Sequence, residues 1–107
     1  MSYDVYVGVE TYSYTFNLST FFHTYLTTGG KTGIQCLDGL KGKTAARVIS
    51  VAIELAEADL VRTTPQNYQD TFDAPNGWGS TIGAILWLSK LMAACYEKPR
   101  YVIRVGV

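Results

Sequence analysis

Between residues 3 and 9 the chain alternates: Tyr3, Val5, Val7 and Val9 fall on one side, and Asp4, Tyr6 and Gly8 on the other. A period of two is that of a strand with one buried face, so a first strand is expected here. The next run, Thr11-Tyr12-Ser13-Tyr14-Thr15-Phe16, is rich in strand-forming residue types and predicts a second strand that returns beside the first as a hairpin.

The period then becomes helical. Ser19 is placed to cap a short helix reaching Leu26, with Phe22, Tyr25 and Leu26 on one side, before Gly29-Gly30 ends it. Residues 29–43 hold five glycines and read as a long irregular connection. With Thr44 as its cap, a helix is expected to 61, because Ala45, Ile49, Ala52, Ile53, Ala56 and Leu60 recur at helical spacing opposite Arg47, Glu54 and Glu57. Residues 65–75 are polar, with Tyr68 and Phe72 as anchors four apart, and predict a short helical turn tucked onto the body.

A last helix is expected over 81–96. It contains Ile82, Ile85, Leu86, Trp87, Leu88, Leu91, Met92 and Cys95, and an apolar surface around most of a helix must be covered on more than one side. Pro99 stops it, and Tyr101, Ile103, Val105 and Val107 alternate with Val102, Arg104 and Gly106 as a closing strand. The order of elements predicts an α+β fold in a single domain, 1–107. Its small antiparallel sheet joins the N-terminal hairpin to the C-terminal strand, with two main helices and one short helix packed on one face.

Composition narrows the function classes. Of the 107 residues 48% are hydrophobic, too many for a disordered chain. Nine basic and nine acidic side chains cancel, which removes the long-range attraction that non-specific nucleic-acid and anionic-membrane binders use. No apolar run approaches the roughly 20 residues of a membrane span, and Met1-Ser2-Tyr3-Asp4 lacks a signal-peptide pattern, so a cytoplasmic protein is expected. Cys36 and Cys95 form no paired motif; two buried, reduced thiols are expected, with no metal or cofactor.

The catalytic inventory is thin. His23, the single histidine, has no ligand or acid partner at helical spacing, and Glu54 with Glu57 reads as a solvated helix face. Asp70 and Asp73 flank Phe72 without the fixed spacing of a cation loop. Gly42-Lys43-Thr44 stands at a helix start, but a full phosphate loop needs glycine where Leu37 stands. It reads as a capped helix start, with Lys41, Lys43, Thr44 and Arg47 as a possible anion patch.

Asn76-Gly77-Trp78-Gly79-Ser80 is the sharper signal. Its glycines permit close backbone approach around an aromatic ring, and Ser80 or Thr81 can cap the helix that follows. One reading is a turn whose tryptophan plugs the core. The other has Trp78 stacking on a ligand ring while Gly79, Ser80 and Thr81 at the helix start receive an anionic group. Tyr12, Tyr14 or Arg104 would complete that site. Tyr6, Tyr12 and Tyr14 form an aromatic group on the first strands, and Gly8 marks a place of close approach.

Several of these residues carry a likeness. Met1-Ser2-Tyr3-Asp4, the run 11–15, Asn17-Leu18, Gly42-Lys43-Thr44-Ala45, the segment 76–80 and Val102-Ile103-Arg104-Val105 together resemble a group of short uncharacterised proteins of bacteriophages and bacteria. The chain departs from their pattern in Ser13 and in its aromatic Phe21-Phe22-His23 stretch. The resemblance implies a phage or mobile-element setting, where proteins of this size commonly antagonise host defence. The expectation is a non-enzymatic protein in the host cytoplasm that oligomerises with itself through 81–96 and binds a small anionic, ring-bearing ligand such as a nucleotide immune signal. The alternatives are an inhibitor or adaptor docking on a host protein through an aromatic surface and, third, a small hydrolase or transferase.

Overall fold

The computed structural model describes residues 2–15, 18–62 and 81–106. Strand β1 (Ser2–Val7) pairs antiparallel with β2 (Glu10–Thr15), from Val7 opposite Glu10 to Ser2 opposite Thr15. The turn between them is Gly8-Val9, with Gly8 at φ +64°. Positive φ at the first central position of a two-residue loop suits glycine and matches the strand twist. The reversal comes before Val9, which is therefore 97% exposed rather than on the buried face that its alternation predicts.

Helix α1 (Ser19–Tyr25) buries Phe21, Phe22 and Tyr25. Its cap position is Leu18, not Ser19; the Ser19 hydroxyl is engaged instead with the Tyr3 hydroxyl at 2.6 Å, which ties the helix to β1. The stretch expected to be irregular is largely built. Thr27–Thr28 (β3) and Lys31–Thr32 (β4) form a small hairpin around Gly29-Gly30, both at positive φ. A 3-10 turn, Ile34–Leu37, then sends Ile34, Cys36 and Leu37 into the core.

Helix α2 (Gly42–Arg62) and helix α3 (Thr81–Glu97) pack against each other. α2 starts three residues earlier than expected, so Thr44 lies inside it and is not its cap. The cause is the chain end: the Gly42 and Lys43 N–H groups donate to the carbonyls of Tyr101 and Pro99, at 2.7 and 3.0 Å. Backbone partners from the C-terminal segment thus replace a side-chain cap. Strand β5 (Arg104–Gly106) is shorter than the expected closing strand, and Tyr101 before it is 52% exposed.

β5 pairs with β1, giving the antiparallel order β2-β1-β5. The result is an α+β fold with the first and last strands adjacent. Tyr3, Val5, Val7 and Ile103 join Phe21, Phe22, Leu37, Ile49, Leu88 and Leu91 in one buried cluster on the helix side of the sheet. The expected turn around Tyr68 and Phe72 lies outside the described residues.

Candidate functional site

Cross-strand pairs share a face, so the register sorts the site residues. Tyr12 opposite Val5 and Tyr14 opposite Tyr3 belong to the inner, helix-covered face. Arg104 opposite Tyr6 belongs to the outer face, where both are exposed. Arg104 therefore stands across the sheet from Tyr12 and Tyr14, and the tyrosine group divides in the same way.

On the inner face the rings of Tyr14, Phe22 and Trp87 meet. Trp87, on α3, lies 5.5 Å from Tyr14 between centroids, with 35° between planes, and 5.8 Å from Phe22. Phe22 also meets Tyr3 and Tyr14 edge to face, each at 5.9 Å. These are favourable aromatic geometries. Trp87 is only 9% exposed, yet its indole Nε1–H has no hydrogen-bond acceptor among the described residues. An unmet buried donor costs about 1–3 kcal/mol, so the cluster is held together by its rings and contains an unused polar valence. Tyr14 is half-buried, the most exposed of the three rings.

Thr81, the first residue of α3, is fully buried. The segment that supplies Trp78, Gly79 and Ser80 lies outside the described residues, as do Asp70 and Asp73.

At the other end of β2 a second network forms. The Tyr12 hydroxyl donates to Glu10 Oε2 at 2.5 Å, and Lys98 Nζ reaches Glu10 Oε1 at 3.4 Å while lying 5.7 Å from the Tyr101 ring centroid. Donation from Tyr12, then the Lys98 charge, holds the Glu10 carboxyl below its usual range. The same bond to Glu10 pushes Tyr12 up to about 12. A phenol held neutral against a carboxylate held ionised is the reverse of what a tyrosine base requires. The network links the hairpin to the end of α3. The close approach marked by Gly8 is also internal, since a Cβ there would stand 2.8 Å from the Tyr101 ring.

No family model, curated protein or solved structure matches this chain.

The remaining chemistry is dispersed. His23 is exposed, with Nδ1 2.8 Å from the Thr32 hydroxyl, and among the described residues no group of acids, cysteines and histidine is placed to hold a metal. Cys36 and Cys95 are free and buried, and burial pushes each thiol up to about 11. Lys41, Lys43, Thr44 and Arg47 are exposed around the start of α2. The N–H groups of Gly42 and Lys43, which an anion at that helix start would use, are already bound to Tyr101 and Pro99. Gly42 has a packing role: its Cβ would collide with the carbonyls of Lys98 and Cys95.

Trp87 and Phe22, which meet Tyr14 in this cluster, are not among the residues that the sequence pattern singles out for a site. A tryptophan amid Leu86 and Leu88 reads as core, and nothing in the spacing tells that its N–H finds no acceptor.

Proposed function

We propose that this protein is a non-enzymatic binding protein that holds a small, anionic, ring-bearing ligand, such as a nucleotide signal, at the aromatic cluster of Tyr14, Phe22 and Trp87. The observation that carries this reading is the buried Trp87 N–H, which has no acceptor among the described residues. A ligand carbonyl or phosphate oxygen would supply an acceptor, and the partly exposed Tyr14, already in contact with Phe22 and Trp87, is the ring nearest to that indole. The start of α3 at Thr81, about 9 Å along the helix axis from Trp87 at 1.5 Å per residue, is proposed as the end nearer the anionic group. Trp78, Gly79 and Ser80, just before it in the chain, are the residues proposed to complete the site. Tyr12 shares the face of Tyr14, whereas Arg104 belongs to the opposite face and drops out of the proposed site.

No helix among the described residues is long and apolar enough to cross a membrane. The proposed setting is a host cytoplasm, with sequestration of a defence signal as the biological outcome. The test is calorimetric titration with a panel of mono-, di- and cyclic nucleotides against the wild type and Trp87→Phe, which keeps a ring and removes the N–H. Binding that weakens about 10-fold or more in Trp87→Phe supports the reading, as expected for a charge-assisted hydrogen bond. No binding across the panel, or equal affinity in the variant, refutes it.

A second reading rests on a different surface. The outer face carries Tyr6, 41% exposed, beside Arg104, with Tyr101 and Val102 at 52% and 42% in the segment leading to it. An aromatic patch with a basic residue suits a protein partner. Recovery of one stoichiometric host protein, lost in Tyr6→Ala together with Arg104→Ala, would favour inhibition or adaptor function over ligand capture.

A further inference from the structure

The two edges of the sheet are finished differently. Along β5 the outward groups are occupied: the Val105 N–H donates to Asp38 Oδ1 at 3.0 Å, Ile103 N–H to the Leu40 carbonyl at 2.7 Å, and Gly39 N–H to the Ile103 carbonyl at 2.8 Å. Lys41 and Val102 continue the cover as a bridge. Among the described residues β2 has no such cover. Its two-residue turn makes Val7 and Glu10 the closing hydrogen-bonded pair, so the alternation directs Tyr12 and Tyr14 backbone groups to β1 and those of Thr11, Ser13 and Thr15 outward. None of these outward groups bonds another described residue. An uncovered edge without proline, lysine or bulge is a template for strand pairing.

The sequence of that edge reads the same in both directions: Thr11-Tyr12-Ser13-Tyr14-Thr15. We propose that β2 pairs antiparallel with β2 of a second copy about a two-fold axis at Ser13, joining two three-stranded sheets into one. This register sets Thr11 against Thr15 of the other copy and Ser13 against Ser13, so every outward N–H and carbonyl of the run meets its counterpart. Side chains match as well. Tyr12 and Tyr14 face each other on the inner side, and Ser13 meets its copy on the outer. No like charges oppose one another within the run, a condition for stable cross-strand pairs.

A strand edge alone buries less than the roughly 1,000 Å² of a stable interface. α3 lies over β2 through Trp87 on Tyr14, so the same two-fold brings α3 beside its copy, and that helix exposes Ile82 (51%) and Leu86 (60%). In the proposed dimer these two side chains are the apolar surface available to enlarge the contact. It does not depend on ligand binding, and its test is separate.

Native mass spectrometry at about 20 µM, well above the micromolar dissociation that a standard interface gives, is expected to show twice the 11.8 kDa of one chain. Ser13→Lys sets two lysines against each other only in the dimer, and within one chain the new amine faces Asp4, which now accepts from the Ser13 hydroxyl at 2.6 Å. The variant should be a folded monomer by circular dichroism. Under mild oxidation Ser13→Cys should cross-link fully, because directly paired residues lie about 5.5 Å apart between Cα atoms, within disulfide range. Thr11→Cys, whose counterpart would stand about 14 Å away, should not. A monomeric wild type, a Ser13→Lys dimer, or equal cross-linking of both cysteine variants overturns the proposal.

Discussion

Trp87 lies against Tyr14 with 5.5 Å between ring centroids, joining α3 to the edge strand of the sheet while its own N–H goes unmatched among the described residues. Losing the indole from a core site costs stability through lost contacts, but removing an unsatisfied donor offsets part of that. Trp87→Phe should therefore destabilise the free protein by about 1–2 kcal/mol by urea denaturation, below the 3–5 kcal/mol of an aromatic truncation to alanine. A loss matching that of Trp87→Ala would mean that the indole N–H has a partner in solution.

Gly42 reverses an ordinary rule. Exchange of an exposed interior helical glycine for alanine normally stabilises by about 1 kcal/mol. Here the Cβ would meet the Lys98 and Cys95 carbonyls, backbone atoms that cannot rotate away. Gly42→Ala is expected to destabilise by about 2–3 kcal/mol, in the range of overpacked cores, with a lower thermal midpoint. A raised midpoint would show that α2 and α3 part more readily than the packing implies.

Much of the fold was legible because periodicity survives in long elements. The alternation from Tyr3 to Val7 and the helical spacing from Ala45 to Ala56 each set one apolar face, and those faces meet. Boundaries were less legible where distant chain supplies the partners: α2 begins at Gly42 because Tyr101 and Pro99 bind its first N–H groups. The Gly29-Gly30 hairpin had its local signal in two adjacent glycines between threonines and a lysine, but two-residue strands are too short to show a period. For the site, sequence could identify aromatic residues and not which face each takes. That depends on register, which separates Arg104 from Tyr14.

The cysteines give a pH-dependent prediction. Burial holds both thiols neutral to about 11, above their ordinary value near 9. A folded-state value raised above the unfolded one contributes stability that is complete below pH 9 and is lost as pH rises toward 11. Denaturation midpoints should fall over that window, and less so in a Cys36→Ala, Cys95→Ala variant measured against its own value at pH 7. At pH 8 both thiols should react with a disulfide reagent only after denaturant is added. Prompt labelling of either would contradict its burial.

Asp38 closes the β5 edge by accepting the Val105 N–H. Asp38→Ala should cost about 1–3 kcal/mol, the range for a hydrogen bond to a charged group. It should also speed amide exchange at Val105 more than at Val5, its partner on the central strand. Uniform acceleration through the sheet would point to global destabilisation instead.

The most direct measurement of ligand capture is the indole N–H itself. The chain has two tryptophans, so Trp78→Phe assigns the two indole resonances in a 15N-labelled sample. Saturation with a nucleotide that binds by calorimetry should move the Trp87 indole proton downfield and slow its exchange with water, as its donor gains an acceptor. An unmoved Trp87 resonance at saturation would place the ligand elsewhere and contradict the account.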